Sequence, residues 1–325
     1  MFKIRKRSFF ILCILVILLL IVLLNEIVII GEKNKIYNIT IITESEINEG
    51  SITLKAGADK AAEETNVDIR FISLSKEDFI EEQNELLLNE NNEETDAILI
   101  APIGYRSLKD TIEKVNKNIP VILLQTRYEN DYKINCVVFD NYNIGIDIGN
   151  EVLSLDCDKK KVAIVTNELN SDLVEERCNG ITSILKGNVS YDIVQFKKDK
   201  YITYYDQAKQ LISSNEANII VAFDTETLES ISQAKSDLLK TNTEVSNIKI
   251  YGSGNTRKII SFLDQNIING IALENQFNIG YLGVKNALNF IRNHKFQEDV
   301  ISSKIITRDN MYSIENQRLL FLFIR

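Results

Sequence analysis

The sequence predicts an α/β protein of two doubly wound parallel-sheet lobes, preceded by one N-terminal transmembrane helix. Three observations carry this expectation. From Ile36 onward, short β-branched runs alternate with longer segments of helical period, the pattern of parallel strands covered by crossover helices. A second series of similar size begins after Asp140. Ahead of both, a long apolar run follows a basic N-terminus.

Lys3, Arg5, Lys6 and Arg7 precede an apolar stretch from Phe9 to Leu24, which resumes after Asn25 and Glu26 as Ile27 to Ile30. At 1.5 Å per residue these positions reach about 33 Å, enough to cross a hydrocarbon core of about 30 Å. Positive charge on the leading side alone predicts a single-pass protein of the cell membrane, its N-terminus cytoplasmic and its larger part extracytoplasmic. A cleavage site needs small residues after the apolar run, and Leu24 to Lys33 offers only Gly31, so residues 1–32 are expected to stay as tail and anchor. Cys13 follows Ile11 and Leu12 and lacks the small neighbour of a lipidated cysteine.

In the first series the strands are expected at 36–42, 67–73, 96–101, 120–125 and 135–139. The first helix is expected over 51–65, with Ile52, Lys55, Ala56, Ala58 and Ala62 at spacings of three and four and a polar cap at Ser51 or its neighbours. The second series places strands at 161–166, 191–196, 218–223, 248–252 and 269–274, with helices over 170–186, 203–214, 226–240 and 256–267. Pro102 and Pro120 are the only prolines and no linker separates the series, so the lobes must abut through short crossings.

Without the four basic tail residues and Glu26 and Glu32, the remainder holds 33 Lys and Arg against 44 Asp and Glu, a charge of about −11. That sign excludes nucleic acid as a partner. Cys136, Cys157 and Cys178 make an odd set without C-x-x-C spacing and read as buried, inert thiols. With His294 the only histidine, neither a metal site nor a His-based triad is expected, and no cofactor is called for.

In parallel sheets ligands bind beyond the carboxyl ends of the strands, so the loops after the strands form the candidate cleft. They hold Glu44 to Gly50 (with Glu46 and Asn48), Ala101 to Arg106, Gln125 to Arg127, and Asp140 to Gly145 in the first series. The second contributes Asn167 to Asp172, Asp199 to Tyr201, Asp224 to Glu226, Ser253 to Asn255 and Glu274 to Gln276. Carboxylates, amides and an arginine facing one cleft suit a polyhydroxylated ligand, whose buried hydroxyls each need a partner.

The segments Phe139-Asp140-Asn141-Tyr142-Asn143-Ile144-Gly145, Glu176-Arg177-Cys178-Asn179-Gly180-Ile181, Ala222-Phe223-Asp224 and Glu274-Asn275-Gln276-Phe277-Asn278-Ile279-Gly280-Tyr281-Leu282-Gly283-Val284 resemble type 1 periplasmic binding proteins, the ribose- and galactose-binding group that shares its fold with lactose-repressor-type sensing domains. The resemblance implies a three-crossing hinge near Asp140, Glu274 and Thr307, hence a first lobe of 36–139 plus 275–306 and a second of 140–274 plus 307–325. It also implies Asp140 at the first crossing, Arg177 on the sugar ring, Asp224 and Gln125 on the ligand, and Glu274 in place of a hinge glutamine. Where the family stacks Phe or Trp on the sugar, this chain has Gly50-Ser51-Ile52, leaving Tyr105, Tyr201 or Phe223 as rings.

The expected function is binding of a small polar ligand, a monosaccharide, through Glu46, Asn48, Gln125, Asp140, Arg177, Tyr201, Asp224, Asn255 and Glu274. The partner is then an ABC permease or a sensor histidine kinase. The alternative is a glycoside hydrolase using Glu44 and Glu46 as acid and base.

Overall fold

In the computed structural model the described residues are 14–20, 35–43, 49–74, 79–92, 94–127, 134–157, 159–167, 172–198 and 200–320. Of the expected anchor only 14–20 is among them. It is helical (α1), and its side chains from Ile14 to Leu20 are 48–61 % exposed. Among the described residues no helix is long and apolar enough to cross a membrane.

The described residues build two six-stranded sheets. The first holds β1 (Tyr37–Thr43), β2 (Val67–Ser73), β3 (Ala97–Ile100), β4 (Val121–Gln125) and β5 (Asn135–Phe139). The second holds β6 (Lys161–Asn167), β7 (Ser190–Phe196), β8 (Ile219–Ala222), β9 (Lys249–Ser253) and β10 (Gly270–Leu273). Two late strands, β11 (Glu298–Ile301) and β12 (Lys304–Ile306), complete them. The orders match, β2-β1-β3-β4-β5-β11 and β7-β6-β8-β9-β10-β12, and all pairs are parallel except β10 with β12. Strands such as Ala97-Ile98-Leu99-Ile100 are apolar throughout because helices cover both faces. The chain passes between sheets after β5, after β10 and at Ser302-Ser303. The third passage precedes the expected Thr307 because Lys304–Ile306 pairs with β10 in the second sheet.

Helices α2 (Glu49–Thr65), α3 (Phe79–Asn89) and α4 (Tyr105–Val115) follow strands of the first sheet. So does α5 (Asn141–Ser154), but it packs in the second lobe against α6 (Asp172–Leu185). Then come α7 (Tyr204–Ser214), α8 (Thr225–Leu238) and α9 (Arg257–Asp264). Reciprocally, α10 (Gln276–Asn293) follows β10 of the second sheet but packs against α2 in the first lobe, and α11 (Ile314–Leu320) ends the described chain.

Both helix pairs touch backbone to backbone, which only glycine permits. A Cβ on Gly145 would lie 2.0 Å from the Arg177 carbonyl oxygen, and one on Gly180 2.0 Å from that of Tyr142. In the first lobe a Cβ on Gly280 would lie 2.0 Å from the Leu54 carbonyl oxygen, and one on Gly57 1.9 Å from that of Phe277. Asp140 and Asn275 cap the two exchanged helices alike, each accepting from the main-chain N–H three residues on.

One core, including Ile39, Leu54, Ile144 and Val162, runs through the inner faces of both lobes, and separate cores lie under α3 and α4 and under α7, α8 and α9. Cys136 and Cys178 are buried, and burial pushes the Cys178 thiol up to about 11. Cys157 is exposed, contrary to the expectation of three buried thiols. It stands in the loop after α5.

Candidate functional site

Arg177 is the centre of the site. It sits on the first turns of α6, where the glycine contacts bring α6 against α5, and its side chain is 4 % exposed. Nε donates to Asn141 Oδ1 at 2.9 Å. Nη1 donates to Phe223 O at 3.0 Å, Ser253 Oγ at 2.7 Å and Glu274 Oε1 at 2.8 Å. The Ser253 hydroxyl in turn donates to Phe223 O at 2.9 Å. The guanidinium therefore joins the tips of β8, β9 and β10 to the first turn of α5, and the carboxylate of Glu274 supplies the charge that such burial requires. Nη2 is buried without a hydrogen-bond partner.

Next to this cluster Asp224 caps α8, Oδ1 accepting from Thr227 N at 2.9 Å. Its Oδ2 meets no partner at hydrogen-bond geometry, and burial raises its pKa against the opposing pull of Thr227 and the Asn167 side chain beside the carboxyl. A donor and an acceptor left open beside Phe223 are a costly arrangement unless something from the cleft fills them. Asn255, just past β9, donates from Nδ2 to Glu274 O at 3.1 Å.

Glu274 faces the first lobe as well. Its Oε2 accepts from Gln276 Nε2 at 3.3 Å, and Gln276 Oε1 accepts from Gln125 Nε2 at 2.6 Å. Gln125 ends β4 with φ +67°, a left-handed conformation that side-chain-bearing residues adopt at a cost. The lobes also touch across the cleft. Glu49 in the first turn of α2 accepts from Arg257 N at 2.6 Å, and Arg106 of α4 lies 3.8 Å from Glu175 of α6.

Of the sequence-predicted residues, Gln125, Arg177, Asp224, Asn255 and Glu274 come together here. Asp140 stands at the first crossing, its carboxylate occupied by Asn143 N and Nδ2 at 3.4 and 2.7 Å. Tyr201 is 83 % exposed in the loop after β7, with the Lys200 ammonium over its ring. Tyr105 and Phe223 are buried at 5 % and 1 % and serve the core, not a ring-stacking surface. Glu46 and Asn48, like Glu44, lie outside the described residues. Asn141, Ser253 and Gln276 lie in the loops expected to form the cleft but were not among the residues named for the ligand. Asn141 and Gln276 are the first residues of the two exchanged helices, and aligning Asp140-Asn141-Tyr142-Asn143-Ile144-Gly145 with Asn275-Gln276-Phe277-Asn278-Ile279-Gly280 would have paired them.

Residues 39–295 match the family model described as a periplasmic binding protein domain. No curated protein matches the chain. Among solved structures it is similar to a carbohydrate transporter solute-binding protein from Agrobacterium radiobacter in complex with D-arabinose, at 20 % identity and TM-score 0.76, covering 88 % of this chain and 99 % of that one. GanP, a glucose-galactose binding protein from Geobacillus stearothermophilus, is similar at 20 % identity and TM-score 0.75, covering 86 % and 100 %. The XylFII-LytSN complex is similar at 20 % identity and TM-score 0.73, covering 85 % and 99 %. At these identities the likeness is one of fold.

Proposed function

The chain belongs to the periplasmic binding protein domain family, and on that premise we propose that it binds a sugar in the cleft between its lobes, outside the cell membrane to which its N-terminus holds it. As a member of a family of binding domains it is a binding protein and not an enzyme, so the glycosidase alternative falls away. The observation that carries the ligand reading is the pair of unpartnered buried atoms, Arg177 Nη2 and Asp224 Oδ2. One hydroxyl of a diol accepts from the first and its neighbour donates to the second, so that both atoms are satisfied and water is displaced. Gln125 offers its remaining amide positions from the first lobe, and Tyr201 is an exposed ring on the second. The sugars named for the two similar binding proteins agree with this chemistry.

The anchor rests on the basic cluster and the apolar run, and the exposed apolar side chains all round α1 are what a helix facing lipid presents. An uncleaved anchor keeps the protein beside a membrane partner, either the permease of an ABC importer or a sensor kinase. That a similar fold occurs in a complex with a second chain favours a protein partner in either case.

Full-length protein in detergent, melted with a panel of pentoses, hexoses and polyols, tests the ligand. A sugar at 100 times its Kd adds about 2.7 kcal/mol of stability, and Asp224→Ala removes that shift. A melt unmoved by every sugar sinks the reading.

A further inference from the structure

Gln276 opens α10 at the second crossing and is 8 % exposed, with both ends of its amide engaged. Oε1 accepts from Gln125 Nε2 at 2.6 Å, and Nε2 donates to Glu274 Oε2 at 3.3 Å. The other oxygen of Glu274 accepts from Arg177 Nη1 at 2.8 Å. Side-chain hydrogen bonds thus run unbroken from Arg177 of the second lobe, through the crossing, to Gln125 of the first. At the first crossing Asn141, the counterpart of Gln276, accepts from Arg177 Nε at 2.9 Å. One guanidinium is tied to both crossings.

The weakest bond of this chain lies where the lobes pivot. Gln276 moves with α10 and the first lobe, and Glu274 directly follows β10 of the second, so relative rotation about Asn275 acts directly on the 3.3 Å bond. Gln125 donates to the Oε1 that remains once the acceptor-only carboxylate of Glu274 has taken the NH2 end, and so holds the Gln276 amide in that orientation. It does so in a left-handed conformation that persists only if its surroundings hold it.

We propose that Gln276 is a positioning residue that couples closure of the lobes to the orientation of Arg177. The inference rests on the interlobe cleft being the ligand site. When the lobes close, the amide seats on Glu274 Oε2; with both oxygens held, the carboxylate fixes Nη1 and leaves Nη2 aimed at the ligand.

The test uses ligand-free, full-length protein carrying Cys13→Ser, with spin labels on the exposed Cys157 of the second lobe and on Lys117→Cys of the first. Pulsed dipolar spectroscopy then reads the interlobe distance. Gln276→Met, similar in size but without hydrogen bonds, is expected to raise the ratio of long to short distances about tenfold, as loss of one charge-assisted bond implies. Gln276→Glu sets a second carboxylate against Glu274; it is expected to open the lobes at pH 7 and to close them again when acidified to about pH 4. Gln125→Ala, at the half-buried strand tip, is expected to act in the same direction.

Distances equal to wild type in Gln276→Glu at both pH values, or in folded Gln276→Met, overturn the coupling. No sugar is needed, so a protein that ignores the whole sugar panel defeats the ligand reading alone. A protein that binds a sugar but keeps its distances in these variants defeats the coupling alone.

Discussion

In the first lobe the residue whose carbonyl meets the crossing glycine, Gly280, is Leu54, and its side chain is packed at 2 % exposure in the core. In the second lobe the residue meeting Gly145 is Arg177, and its side chain runs to the tips of three strands. The strand order, the helix exchange and the glycine contacts are the same in both lobes, so the difference is not one of architecture. A repeated scaffold leaves one position free to carry packing on one side and a charged anchor on the other. The caps differ likewise: α8 starts on the buried carboxylate of Asp224, and α4 on Gly104 with no side-chain cap.

Making the second lobe like the first should cost most. Arg177→Leu removes four hydrogen bonds and strands Glu274, 15 % exposed, without its cation. The expected loss is about 3–5 kcal/mol in urea unfolding, together with the sugar-induced shift. A midpoint close to wild type means that the arginine is no part of what holds the second lobe together.

Where the lobes agree, substitution should cost them alike. Gly145→Ala and Gly280→Ala each drive a methyl to about 2.0 Å from a helix carbonyl, and about 1–3 kcal/mol or more is expected from each. A loss confined to one of them breaks the equivalence of the crossings.

Eleven residues past its cap α8 carries Lys235, 2 % exposed and donating to Ile267 O at 2.7 Å, whereas α4 has Val115 at the corresponding place. Burial lowers the Lys235 pKa from 10.5 to about 8. Below about pH 8 the folded protein holds a buried charge at a cost, and stability rises with pH from about 8 to about 10.5 as the folded form sheds its proton first. Lys235→Met should flatten that rise and gain about 1–2 kcal/mol at pH 7, the lost bond to Ile267 O offsetting part of the relief. Chemical denaturation at pH 7 and pH 10 measures both.

The smallest effect is expected at Asp224. Its raised pKa means that the folded protein loses stability as pH rises through that value. Asp224→Asn keeps an N-cap and removes the ionisation, so it should melt slightly higher at neutral pH and show a smaller decline between acid and neutral pH. A lower melt at pH 7 shows instead that the charge is compensated.

The fold was largely legible because its signals are local. Runs such as KVAIVT and NIIVAF bury both faces whatever surrounds them, and the observed β6 and β8 lie within a residue of the expected ranges. Short strands escaped: Lys304–Ile306 is too brief to show a period, and its side of the hinge depends on pairing with β10. Of the site, Arg177 and Glu274 could be named from motifs, but their mutual ion pair joins residues almost a hundred positions apart.

By itself the sequence determined the alternation of strands and helices, the doubling into two lobes and the acidic charge, since hydrophobic period and composition are properties of neighbouring residues. It also placed the apolar N-terminal run, and with it the expectation of an anchor. Only the tertiary structure decided that α5 and α10 trade lobes, that Tyr105 and Phe223 are core, and that Arg177 leaves Nη2 open while its other nitrogens are bonded. The reason is burial: whether a polar atom is satisfied depends on which distant backbone and side-chain atoms close around it, and no local pattern records that.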